Sequence, residues 1–249
     1  MTAVGLKGEI RRGHTPDFAY SGTELDALRE GINYYRWLIR RMTPWVGKNV
    51  VEVGAGIGTF AKYLLAIDGV ESLVALEPGK NPFPALRSAL ESDKRAQPVQ
   101  AYVNQMPPID ADTIVAVNVM EHVEDDLGFL RDAYRISNSG GTLLLYVPAM
   151  PGIYGTLDTA LEHYRRYTKK SLRTVVEAAG WTVRDMSYAN LPGILAWYVA
   201  GRILKKTSLG GAEVGLYDRW AIPVISRLES IWSPPVGQSL LAIGTKSSR

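Results

Sequence analysis

The chain of 249 residues is 46% hydrophobic and 21% charged, ordinary usage for one large globular domain or a core domain with an elaboration, so wholesale disorder and fibrous classes are excluded. It contains no cysteine, which removes disulfide frameworks, thiolate zinc sites and thiol nucleophiles. A net charge of +3, from 28 basic and 25 acidic side chains, is too small an excess to argue for a nucleic-acid partner.

Lys7, Glu9, Arg11 and Arg12 leave no apolar run resembling a leader near residue 1. The uncharged stretch from Met186 to Gly201 is interrupted by Pro192 and is shorter than the roughly 20 residues a spanning helix needs. These features predict a soluble, cytoplasmic protein without a transmembrane segment.

In chain order, Leu25, Leu28, Ile32, Tyr35, Ile39 and Met42 recur in steps of three and four, the spacing of one helical face. Ser21 with Glu24, or Thr23 with Asp26, offers a capping box, and Pro44 ends the segment. Strand and helix then alternate. Strands are expected at Val50–Val53, Ser72–Leu76, Val99–Val103, Thr113–Val117, Gly141–Val147, Thr182–Tyr188 and Gln238–Thr245. Helices between them carry Phe60, Leu64 and Ile67, then Leu86 and Leu90, then Leu127, Leu130 and Tyr134, then Leu172 and Val176. Most strands are apolar throughout, which argues an α/β fold built on a doubly wound sheet of seven strands. Residues 191–236 break the alternation. The expected organisation is an N-terminal helical cap over 1–45, a core over 46–190 and 237–249, and a helical insertion over 191–236 before the last strand. That insertion carries Trp197, Trp220 and Trp232 and is expected to act as a lid, a homodimer contact or a lipid-facing surface.

Ligands of such sheets bind beyond the carboxyl ends of the strands, where strand order reverses. Gly54-Ala55-Gly56-Ile57-Gly58 follows the first strand there, and Thr59 stands where a dinucleotide fingerprint would have glycine. Glu77 closes the second strand nineteen residues after Gly58, placed to accept both hydroxyls of a ribose. Glu52, just before the glycines, favours a cation over a pyrophosphate in the rest of the ligand.

With these residues the chain resembles the class I S-adenosylmethionine-dependent methyltransferases. Val51 to Gly58, Leu76-Glu77-Pro78, Asn118-Val119-Met120-Glu121-His122-Val123 and Gly140-Gly141-Thr142-Leu143 stand in the order of that family's motifs, over roughly residues 45–190 and 237–249. The resemblance implies a Rossmann-like fold and S-adenosylmethionine as cofactor. Glu52, Gly54, Ala55, Gly56 and Gly58 would hold its methionine part, Glu77 and Pro78 the ribose, and Val103 and Asn104 would flank the adenine. Asn118 and Val119 would lie beside the sulfonium. The usual acid of the adenine turn is absent, with Asn104 nearest. Tyr34 and Arg36, on the helix upstream of the core, are free to face the cofactor.

The acceptor is read from the histidines. Transfer to a hydroxyl needs a base. His14 is a solvated loop residue in this reading. His163 lies after the fifth strand, with Asp158 or Glu162 to orient it, among Tyr154, Tyr164, Arg165, Arg166 and Tyr167, which suit a polyhydroxylated or anionic acceptor. His122 is the second catalytic candidate. Related catechol and ribose methyltransferases hold a divalent metal through Glu-x-x-Glu-His; here the first carboxylate is missing, which leaves Glu121 and His122 as ligands for an ion such as Mg²⁺. The expected activity is O-methylation of a small polar acceptor such as a saccharide. The alternatives are a phenolic or lipid-linked acceptor, a nicotinamide-dependent oxidoreductase and a non-catalytic adenosine-binding module. Asn118-Val119-Met120-Glu121 in place of an Asn/Asp-Pro-Pro-Tyr box counts against nucleic-acid amino groups.

Overall fold

The computed structural model of the chain describes residues 30–248. The capping pairs Ser21–Glu24 and Thr23–Asp26, the start of the first predicted helix and His14 lie outside the described residues. Seven strands form one sheet: β1 (Asn49–Val53), β2 (Ser72–Leu76), β3 (Ala96–Val99), β4 (Ala111–Val117), β5 (Ser137–Pro148), β6 (Thr182–Ala189) and β7 (Ser239–Thr245). Their order is β3-β2-β1-β4-β5-β7-β6, with β7 antiparallel to both neighbours and the other pairs parallel. Order reverses between β1 and β4, so the carboxyl ends of these two strands frame the crevice.

The helices cover both faces. They are α1 (Ile32–Met42), α2 (Thr59–Leu65), α3 (Phe83–Leu90), α4 (Asp126–Ile136), α5 (Thr156–Ala160), α6 (Lys169–Ala178), α7 (Leu191–Tyr198) and α8 (Gly211–Ile231). Strand side chains alternate between two cores. Val51, Val53, Leu143 and Leu145 pack with Leu130 of α4 and Leu172 of α6, whereas Val50, Leu144 and Tyr146 pack with α1, α2, α3 and Ile222 of α8. Burial on both sides explains why β1, β2 and β4 read as continuous apolar runs.

The third strand differs from expectation. It pairs Leu73–Leu76 with Ala96–Val99, and Val103–Gln105 is instead a 3-10 turn. β3 pairs only with β2, and an edge strand tolerates Pro98, which disguises it in the sequence. In the insertion, α7 continues as a π-helical turn over Val199–Ile203 before α8 returns to β7. Among the described residues, no helix is long and apolar enough to cross a membrane.

Candidate active site

A cavity of about 400 Å³ opens beyond the carboxyl ends of β1, β4 and β5. One wall is the glycine-rich turn. Gly54, Gly56 and Gly58 all take positive φ, and at Gly54 (φ 71°) a Cβ would come within 2.5 Å of Val119 Cγ2. Only glycine lets the turn lie this close to the segment after β4. Val119 therefore wedges the turn from behind, while Asn118, itself at φ 53°, borders the cavity. Its backbone N–H donates to Tyr146 O at 2.8 Å, which holds the strained residue in place.

Glu52 lines the same wall and is buried, with no hydrogen-bond partner for Oε2. Burial, with the nearby Glu77 charge adding to it, raises its carboxyl to about 8. Glu77 accepts the backbone N–H groups of Gly56 at 2.8 Å and Gly79 at 2.6 Å. Burial still lifts it to about 7 against those two bonds. Its carboxylate thus ties the glycine turn to the end of β2. Glu77, Pro78, Val103 and Asn104 are not part of the cavity wall, which on that side ends at Gly54, Ala55, Gly56 and Ile57. Arg135 pins the 3-10 turn by donating to Met106 O at 2.7 Å, Val103 O at 3.4 Å and Asn104 O at 3.3 Å.

Of the two candidates on α1, Tyr34 borders the cavity and Arg36 does not; Arg36 is exposed, because residues two apart on a helix face different sides. Asp218 of α8 sets the start of α1. Its carboxylate accepts the N–H groups of Asn33 at 2.9 Å and Tyr34 at 2.7 Å and the Asn33 amide at 3.1 Å, supplying from another helix the cap that Gly31 lacks.

The opposite wall carries the titratable cluster. His163 Nδ1 lies 3.0 Å from Asp158 Oδ1. The same oxygen accepts from Arg166 Nε at 2.6 Å, while Oδ2 accepts from Trp197 Nε1 at 2.9 Å and Gly155 N at 3.0 Å. Burial pulls Asp158 upward, but the bond to His163, the Arg166 charge and the Trp197 bond outweigh it and hold the carboxyl below its usual range. Asp158 is therefore an ionised anchor that leaves His163 Nε2 for the cavity. The His122 ring stands edge-on to His163, with centroids 4.7 Å apart. Burial and the neighbouring His163 push its imidazole down to about 4. Glu121 is buried, its Oε2 has no partner, and burial raises it to about 8.

Four of the expected acceptor residues are committed elsewhere. Tyr154 donates its hydroxyl to His163 O at 2.6 Å, so it braces the segment from behind. Tyr164 is exposed, with Arg165 stacked 5.9 Å from its ring. Arg165 pairs with Asp126 at 2.8 Å. Tyr167 is buried in the core and donates to Asp126 at 3.0 Å. Glu162 is exposed at φ 58°, so the orienting carboxylate is that of Asp158 alone. Arg166 does border the cavity, with its guanidinium 4.7 Å from the Trp197 ring. The aromatic walls come instead from Trp197 and Tyr217 of the insertion. Asn190 was also missed: it accepts from Tyr217 at 2.6 Å and donates to Gln238 at 2.7 Å. Its placement at a strand end before Pro192 was the only available signal.

A family model described as a methyltransferase domain matches residues 28–185. The chain belongs to the class I S-adenosylmethionine-dependent methyltransferase family. Curated relatives include the tRNA U34 carboxymethyltransferases of Haemophilus influenzae strain Rd, 25% identical over 59% of this chain and 50% of that one, and of Proteus mirabilis, 28% identical over 51% and 40%. The chain spans about half the length of the curated relatives it matches. Among solved structures, phosphoethanolamine N-methyltransferase 2 of Haemonchus contortus with S-adenosylmethionine superposes with TM-score 0.62 at 16% identity, over 94% of this chain and 60% of that one. The cyclase SpnF superposes with TM-score 0.58 at 14% identity, over 87% and 81%. These likenesses establish the fold, and a cyclase among them shows that the fold alone does not name the reaction.

Proposed function

We propose that the chain is an S-adenosylmethionine-dependent O-methyltransferase acting on a small polar acceptor of the saccharide or phenol kind. The observation that carries this reading is a single cavity with the Glu52–glycine wall on one side and the Asp158–His163 pair on the other. The residues present suit the cofactor: Glu52 Oε2 is a buried acceptor without a partner, fit for an ammonium, and the glycine turn admits close approach. Bound there, S-adenosylmethionine supplies a sulfonium methyl group open to in-line displacement. Asp158 fixes the His163 ring, His163 Nε2 takes the acceptor proton, and α7 and α8 exclude water. In this reading residues 191–236 are the lid of the core and α1 caps it.

Support for a small acceptor comes from the insertion: α7 and α8 border the cavity with Trp197 and Tyr217. The relatives named for tRNA make tRNA the competing substrate. Released S-adenosylhomocysteine, measured with sugars, phenols and unmodified tRNA in turn, decides between them. Turnover on a sugar or phenol that disappears in His163→Ala is the expected result, and turnover on tRNA alone overturns the reading.

A second reading has one specific observation behind it. Ligand atoms of Glu121, His122 and His163 lie within 4.8 Å of one another, a group suited to a metal ion. Two imidazoles and a carboxylate fit a transition ion such as Zn²⁺ better than the Mg²⁺ expected from sequence. Activity lost to a chelator and restored by Zn²⁺ favours it over the base mechanism.

A further inference from the structure

The outer face of α8 is apolar. Leu216, Trp220, Val224, Leu228 and Ile231, at steps of four and three, are 54–84% exposed. The opposite face buries Asp218, Ile222 and Ile225 against the core, so packing within the chain accounts for only one of the two stripes. Trp232, just past the end of α8, is exposed as well, as are Leu195, Tyr198, Ile203 and Leu204 on α7 and the turn after it. So many large apolar side chains exposed within one insertion mark a contact surface.

Charge identifies what it meets. Arg219 stacks 5.5 Å from the Trp220 ring, and Arg227 falls between Leu216 and Trp220 on the helical projection. Neither makes an ion pair among the described residues. The carboxylates of α8 are already engaged: Glu213 by Lys206, Asp218 by the start of α1, and Glu229 by Asn190 N at 3.2 Å and Leu191 N at 3.1 Å. Arg202 and Lys205 add exposed positive charge beside Ile203 and Leu204. A two-fold pairing of this face with a second copy would set arginines near arginines with no free carboxylate between them. An anionic lipid surface takes both features at once. Its phosphates meet the guanidinium groups, its acyl boundary takes the leucines, and Trp220 and Trp232 suit the interface.

We propose that the outer face of α8, with the turn after α7, docks the protein onto an anionic membrane surface, lying on it and not crossing it. The helix runs in the interface plane with Arg219 and Arg227 reaching to headgroups. This docking is independent of methyl transfer. It holds the cavity beside the lipid, because α7 and α8 also line it.

Cosedimentation of the full chain with vesicles tests it. Phosphatidylcholine mixed with phosphatidylglycerol should bind the protein, with a blue shift of tryptophan emission, and phosphatidylcholine alone should bind it weakly. Arg219→Gln and Arg227→Gln should each weaken binding roughly fivefold, from about one charge's attraction to the surface. Leu216→Glu with Trp220→Glu should abolish it while the circular-dichroism melt stays cooperative. Absence of binding to either vesicle, or equal binding to both, overturns the proposal. So does a concentration-dependent dimer in sedimentation velocity that Trp220→Glu disperses without any vesicle binding by the wild type.

Discussion

The buried Glu52 offers a sharp test of where the cofactor's ammonium goes. With its carboxyl raised to about 8, Glu52 is only about one-tenth ionised at pH 7 in the free protein. A cation bound against it must draw off the remaining ~0.9 proton. The cofactor's own amino group, with an ordinary value near 7.7–8.0, takes up about 0.1–0.2 proton as it becomes fully charged, which leaves a net release of about 0.7–0.8. Ionising the carboxyl at pH 7 costs on the order of 1 kcal/mol, which offsets much of the ~1.5–3 kcal/mol of a charge-assisted bond. Glu52→Gln should therefore weaken binding by at most about tenfold at pH 7 but abolish proton release. Titration calorimetry of S-adenosylhomocysteine in buffers of different ionisation enthalpy measures that release directly. Release below about 0.2 in the wild type, or the same release in Glu52→Gln, refutes the assignment.

The same shift has a signature in stability. An unfolded Glu52 loses its proton near 4.5 and the folded one near 8, so between those values the native state holds the extra proton and stability falls as pH rises. The penalty is absent below about 4.5 and complete above about 8. Glu52→Gln should accordingly melt above the wild type at pH 8, with the gap narrowing toward pH 5.

If Glu77 also accepts the ribose of the cofactor, Glu77→Ala should weaken cofactor binding by about 2–3 kcal/mol, roughly 30–150-fold, besides freeing the Gly56 and Gly79 N–H groups; unchanged affinity in calorimetry removes the ribose role. Asp158→Asn should lower single-turnover rates with cofactor affinity intact, and leave the Arg166 charge buried without its partner at a cost of about 3–5 kcal/mol in denaturant unfolding; rates equal to wild type would remove Asp158 from the orientation of His163. Asp218→Ala uncaps α1 and should cost about 1–2 kcal/mol of stability and loosen Tyr34 at the cavity, measured as a lower melting temperature and weaker binding; a melt unchanged within error sinks the capping argument.

The sheet was legible because its information is local. β1, β2 and β4 are largely apolar and buried on both faces, and each is followed by a residue that cannot continue a strand comfortably, such as Gly54, Pro78 after Glu77, or Asn118 at positive φ. β3 was misplaced for the converse reason. An edge strand with Gln97 and Pro98 needs no apolar signature, so the nearby run ending at Val103 attracted the assignment instead. The Glu52–glycine wall of the cavity was legible for the same local cause: Glu52 and the glycines lie within one strand–turn unit.

The opposite wall of the cavity is assembled from distant pieces, and local reading reached only some of them. His163, Asp158 and Arg166 share one segment and were found together, but which tyrosines face the cavity depends on how that segment leaves β5. Tyr167 N donates to Pro148 O at 2.8 Å and Met150 N donates to Tyr167 O at 3.1 Å, which buries Tyr167 in the core. Tyr164 N donates to Glu121 O at 2.7 Å, and the ring beyond it is left exposed. Trp197 completes the group from 39 positions away, by a bond to the second oxygen of the carboxylate that holds His163. Asp158 therefore does two things that no spacing rule predicts. It orients the imidazole on one side and fastens α7 to the core on the other, so the position of α7 and the position of His163 rest on one buried carboxylate.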